Sequence, residues 1–265
     1  MANNFMGFLL QLPPPISFFI VSAVTTFLSL AGLYLVRRKY SAEVLKENHE
    51  VAAIIFNAFG LFYGVMLAFV VFVTWSGYSD ATKDLEMEAN LADDLFHIAK
   101  TVPDPAKTTM QQGLINYVNS VFGELKRMAE GGIDIHSTGT MGELLTKFYQ
   151  IDAKSFPNKQ IYAEALSRLN SLAEYRRLRI FTGNDTVPPV VWLVLLVGAV
   201  FTVCFNYLFG MKNIRAQYLI TATLTITMSQ ILFLIFVLDH PFTGASRIST
   251  EPLRQVMGVM QSEKG

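Results

Sequence analysis

The stretch FGLFYGVMLAFVVFVTWSGYSD, residues 59–80, carries no charged side chain before its final aspartate. A helix lying on a soluble core would show a polar face at the helical period, and this stretch has none. Its charge-free run is part of a longer one, residues 51–75. About 20 apolar residues cover the roughly 30 Å hydrocarbon layer. Lipid offers no partner to an unpaired backbone amide, so the segment is expected to cross as a helix.

Three further stretches lack Asp, Glu, Lys, Arg and His and reach spanning length: residues 16–36, 189–210 and 216–238. The whole chain agrees. Of its 265 residues 52% are hydrophobic and only 16% charged, against about a quarter charged in ordinary soluble domains. Its 21 basic and 21 acidic residues cancel, which gives nucleic acid no electrostatic footprint. The single cysteine, Cys204, lies within an apolar run and permits no intrachain disulfide. No basic segment precedes the first apolar run, so no secretory signal is read there.

More than a hundred residues separate the second and third spans, with apolar positions at helical spacing. Leu85, Ala92, Leu95 and Ala99 form one series, and Met110, Leu114, Val118, Val121 and Leu125 a second. Met141, Leu144, Leu145 and Phe148 form a third, and Ile161, Ala165, Leu169, Leu172 and Tyr175 a fourth. TVPDPA and EGGIDIHSTGT supply the breaks. The expected fold is all-α: four transmembrane helices, with a soluble helical bundle inserted between the second and third. The boundaries are residues 1–78 for the first two spans, 79–187 for the bundle, 188–242 for the last two spans and 243–265 for a C-terminal tail.

Basic residues set the orientation. The first short loop carries Arg37, Arg38, Lys39 and Lys46, and the second carries Lys212 and Arg215. Short loops dominate the positive-inside rule. Both loops are therefore expected in the cytoplasm of a bacterial inner membrane, with both termini and the bundle outside.

Candidate functional residues cluster around span two. Ile54, Asn57, Ala58 and Phe62 are candidates to line a pore, the apolar ones forming a constriction that gates by dewetting. Gly60 and Gly64 make a small-xxx-small pair suited to close helix packing. Gln230 lies deep in span four, where an unpaired amide is costly and a partner helix is expected. Asp80, Asp84 and Glu88 follow span two and would favour cations at an outer mouth. Asp239 lies at the membrane edge after span four, where Arg176 or Arg177 would clamp it. Asp93 and His97 stand four apart with no third ligand in register, so no metal site is expected. The chain has no phosphate-binding glycine loop, nucleophile elbow, zinc-protease helix or C-x-x-C pair. Neither an enzyme nor a cofactor is expected.

Taken together, NHEVAAIIFNAFGLFYGVMLAFVVFVTW at 48–75, EALSRLNSLAEYRRLRI at 164–180, YLFGMKNIRAQ at 207–217 and VLDHPFTG at 237–244 resemble the bestrophin-like family of bacterial membrane proteins. A remoter kinship is with bestrophins proper, pentameric ion channels whose second helix lines an apolar neck. The resemblance implies a homo-oligomer, with inorganic ions and the lipid bilayer as partners. It also places Ile54, Ala58 and Phe62 at neck positions, with Ala58 where a bulkier gate residue stands in bestrophins. Bestrophins keep their helical region in the cytoplasm, so resemblance and charge count assign opposite sides. The leading expectation is an oligomeric ion channel leaning toward cations. The alternative is a membrane sensor or scaffold whose helical bundle acts through a partner.

Overall fold

The structure is a computed structural model, and it describes residues 7, 9–41, 49–130, 138–211 and 213–263. Among these residues the chain forms eight α-helices and a single 3-10 turn, with no strand. The helices are α1 (Pro14–Lys39), α2 (His49–Ala99), α3 (Ala106–Ala129), α4 (Thr138–Tyr149), α5 (Lys159–Asn184), α6 (Pro189–Tyr207), α7 (Ile214–Leu238) and α8 (Glu251–Ser262). Of the basic residues that set the expected orientation, Lys46 and Lys212 lie outside the described residues.

Local chemistry places several helix ends. Proline occupies the first turns of α1, α6 and α8, where its missing N–H costs nothing and its fixed φ suits the helix. Asn158 caps α5 through the Ile161 amide, and Asn213 caps α7 through the amides of Arg215 and Ala216. Four helical stretches are long and apolar enough to cross a membrane: Pro14–Lys39, the start of α2, the segment leading through α6, and Ile214–Leu238.

The chain divides into two compact units. The first comprises Met1–Gly77 and Thr186–Asp239. Its apolar centre joins Tyr63, Leu67 and Val70 of α2 to Leu195 of α6 and Ile235 of α7. Hydroxyl and amide groups make further contacts between its helices, beside aromatic pairs such as Phe18 with Phe233. Tyr207 Oη donates to the Ser29 carbonyl at 2.7 Å, Thr225 Oγ1 to Ser29 Oγ at 2.8 Å, and Asn206 Nδ2 to Thr221 Oγ1 at 2.6 Å. In lipid, close packing and interhelical bonds of this kind replace the hydrophobic drive between helices.

The second unit comprises Tyr78–Asp185 and His240–Gly265. Leu85, Ala92, Leu95, Ala99, Met110, Leu114, Val118, Val121 and Leu125 are all buried in its core, as are Met141, Leu144, Phe148, Ala165, Leu169 and Leu172. Leu145, Ile161 and Tyr175 pack against that core partly buried. The structure differs from the expected boundaries at the C-terminus. Residues after 242 do not stand apart as a tail, because Leu253, Val256, Met257 and Met260 of α8 are buried in this same core. Their spacing of three, one and three puts them on one helical face, which needs an apolar partner.

Candidate functional site

Within the first unit, α2 is two-faced. Tyr63, Leu67, Val70 and Thr74 are buried. Tyr63 Oη donates to the Leu195 carbonyl at 2.6 Å, and its ring lies so close over Gly198 that an added Cβ would collide with it. On the opposite face Ile54 is 71% and Phe62 75% exposed, with Leu61, Val65, Phe69 and Phe72 also exposed. Asn57, Ala58 and Gly64 are exposed beside them. No charged residue interrupts this face from Ile54 to Phe72. The four pore-lining candidates thus share a surface that their own chain leaves uncovered.

The glycines divide by role. Nothing lies within 4 Å of where a Cβ on Gly60 or Gly64 would stand, so neither makes a close helix contact within the chain. In the first unit the close approaches occur instead at Gly198, against Tyr63, and at Gly32, against Tyr207. Sequence reasoning missed both, although each faces a tyrosine ring whose hydroxyl finds a carbonyl on the neighbouring helix. Span four shows a similar division: Thr221, Thr225 and Ser229 are buried, while Thr223, Thr227 and Gln230 are exposed on the single chain.

The acidic residues after span two also separate. Asp80 is exposed and lies 3.5 Å from Lys83. Asp84 is half-buried and accepts from Thr182 Oγ1 at 3.2 Å. Glu88 is fully buried. It accepts from Arg179 Nε, from Arg179 Nη2 at 3.2 Å and from Tyr117 Oη. Arg179 Nη2 also reaches Glu124 at 2.7 Å, and Arg176 Nη2 donates to Glu124 at 2.8 Å. Two carboxylates and two guanidiniums therefore balance in the core of the second unit, drawn from α2, α3 and α5. Burial alone would push the Arg179 guanidinium down, but Glu88, with help from Glu124, holds it above its ordinary value. Burial, and then the Glu88 charge, pushes the Tyr117 phenol well up.

Asp239, expected beside Arg176 or Arg177, is held by hydrogen bonds within the first unit. Its Oδ1 accepts the Val187 amide at 2.7 Å, and its Oδ2 accepts Trp192 Nε1 at 3.4 Å. Pro188 and Pro189 follow Val187 and have no amide proton to offer, so the Val187 N–H is the donor available at the entry to α6. Arg177 is exposed. Among the described residues no group of three or more His, Cys, Asp or Glu could hold a metal ion.

An all-helical chain with four apolar spans, lined by small and hydroxyl-bearing contacts, is a membrane protein. Residues 20–253 match the bestrophin-like domain family model, and the chain belongs to that family. The fold is also that of solved structures of a bacterial bestrophin homolog from Klebsiella pneumoniae. Two single-residue variants of that homolog align with TM-scores of 0.70 and 0.72, each at 14% identity. They cover 94% and 93% of this chain and 99% and 98% of theirs. A structure described only as a membrane protein aligns with a TM-score of 0.66 at 14% identity, covering 94% of this chain and 98% of its own. No curated protein matches.

Proposed function

We propose that this protein is an oligomeric ion channel in which several copies of α2 surround a common axis. The observation that carries this reading is the charge-free face of α2 from Ile54 through Phe62, which lies open on the single chain. An apolar constriction of this kind conducts when wetted and closes when dry. Membership of the bestrophin-like family and the likeness to bacterial bestrophin homologs support it. The remoter kinship with pentameric bestrophins makes five copies the number to test first. A preference for cations rests on Asp80 and Asp84, because Glu88 is already compensated by Arg179. The short-loop charges favour a cytoplasmic side for Arg37, Arg38 and Arg215, and an extracytoplasmic side for the second unit and both termini.

The test is ion flux from liposomes carrying the purified protein, with sodium and potassium chloride gradients. Phe62→Ala widens the constriction and is expected to raise flux several-fold, and Asp80→Asn to lower the cation-to-anion ratio. Flux no greater than that of protein-free liposomes with either salt would end the reading. Sidedness is read separately, by labelling Lys147→Cys in a Cys204→Ser background with a membrane-impermeant maleimide. Labelling in intact cells supports an outward second unit, and labelling only after lysis refutes it.

A further inference from the structure

The first unit also contains a cleft of about 530 Å³ between α1 and α6, floored by α7. Its walls are apolar side chains, among them Val24, Leu28, Val200 and Val203, with the Cys204 thiol exposed along one edge. On the lipid-facing side of a spanning bundle, water has no access to such a cleft. Its occupant must be a hydrocarbon chain or another helix.

Charge at the end of α1 decides between them. Arg37, Arg38 and Lys39 close α1 in its last turn. The Arg37 guanidinium, eight residues past Ser29 at the near end of the cleft, donates from Nη2 to the Met211 carbonyl at 3.1 Å. Its Nη1 is buried and has no hydrogen-bond partner among the described residues, whereas Arg38 and Lys39 are exposed. A buried guanidinium nitrogen without an acceptor, flanked by two exposed cations, is a site for an anionic oxygen. Distance connects the two features. Arg37 lies nine residues beyond Leu28, about 13 Å of helix rise, and one leaflet's hydrocarbon depth is about 15 Å. A phosphate at Arg37 would therefore stand about one acyl chain's length from the near end of the cleft, at Leu28 and Ser29.

We infer that this cleft holds an anionic phospholipid, its phosphate on Arg37 and Arg38 and one acyl chain between α1 and α6. The site is separate from the α2 face and does not depend on conduction. Its binding chemistry is the same on whichever side of the membrane the α1 end lies.

The test uses the full-length protein labelled with bimane at Cys204, its one thiol, in phosphatidylcholine nanodiscs. One-tenth of the lipid is replaced by phosphatidylglycerol or by phosphatidylcholine with brominated acyl chains, which quench the label on contact. The anionic quencher is expected to act about twofold more strongly than the zwitterionic one. In Arg37→Gln/Arg38→Gln protein the two are expected to become equal. Equal quenching in the parent protein would show bulk lipid in the cleft and overturn the inference. A preference that survives the double substitution would overturn it as well, because the headgroup would then be held elsewhere. The parent comparison stands alone if the double variant fails to fold.

Discussion

At the scale of single residues, Glu88 is the clearest departure from a solvated charge. Glu88→Ala leaves the Arg179 Nε without its carboxylate and Tyr117 without its acceptor. Stranding a buried charge costs about 3–5 kcal/mol, so the apparent melting point of the detergent-purified protein should fall sharply. Glu88→Gln, which keeps an acceptor oxygen, should fall less. Equal losses would mean that the hydrogen bonds contribute nothing beyond charge. Asp84 behaves in the opposite way. Burial is the chief cause that raises its pKa; the Thr182 hydroxyl opposes this, and Asp80 and Glu88 add to it. With its folded pKa above its unfolded one, its contribution to stability is complete at acid pH and is lost as pH rises through the folded value. Asp84→Asn should therefore be more stable than the parent near pH 7 and indistinguishable from it below about pH 4. A difference that stays constant with pH would refute this. The burial of Glu88 is legible in the sequence. Ala81, Leu85, Glu88, Ala92 and Leu95 share one helical stripe; so do Leu114, Tyr117, Val121, Glu124 and Met128, and so do Leu169, Leu172, Arg176 and Arg179. Opposite charges placed in apolar stripes of neighbouring helices predict a buried pair. The expectation of an outer acidic mouth grouped Glu88 with Asp80 and Asp84 by nearness to span two, whereas its face sets it apart from them.

At the scale of elements, the spans were plain and their facing was not. Four charge-free runs of about 20 residues mark α1, the start of α2, α6 and α7. In lipid, however, both sides of such a helix can be apolar, so hydropathy does not distinguish the packed side from the open one. Small residues distinguish it only when their neighbours are known. Gly60 and Gly64 have the spacing of a packing seam, yet the chain leaves both open, while Gly198 receives the Tyr63 ring. Gly198→Ala should displace that ring and break the bond from Tyr63 to Leu195, sharply lowering the yield of folded protein. Gly64→Ala should leave the chain's own fold intact. If Gly64→Ala changes particle size by light scattering while the helical circular dichroism stays unaltered, its partner is another copy. If it unfolds the chain as Gly198→Ala does, the division of the glycines is wrong.

At the scale of the whole molecule, the second unit is assembled from two separated stretches, Tyr78–Asp185 and His240–Gly265. Two helices long and apolar enough to cross a membrane lie between them, and two crossings would return the chain to the side it left. The topology and the shared core therefore agree. Leu253 is fully buried in that core, and Leu253→Asp would place an unpaired carboxylate there. Limited proteolysis should then cut within α3, residues 106–129, faster than it does in the parent. An unchanged cleavage pattern would mean that α8 is dispensable to the core. The apolar spacing of Leu253, Val256, Met257 and Met260 could have revealed this docking, but twelve residues form a weak signal beside four membrane spans. One consequence concerns biosynthesis. The ribosome releases Leu253 and Met260 only after all four spans have emerged, so a nascent chain keeps its unit open until α8 has been made. Any message truncated before codon 253 yields a polypeptide with a greasy groove where α8 belongs, a mark by which proteases could tell unfinished copies from finished ones.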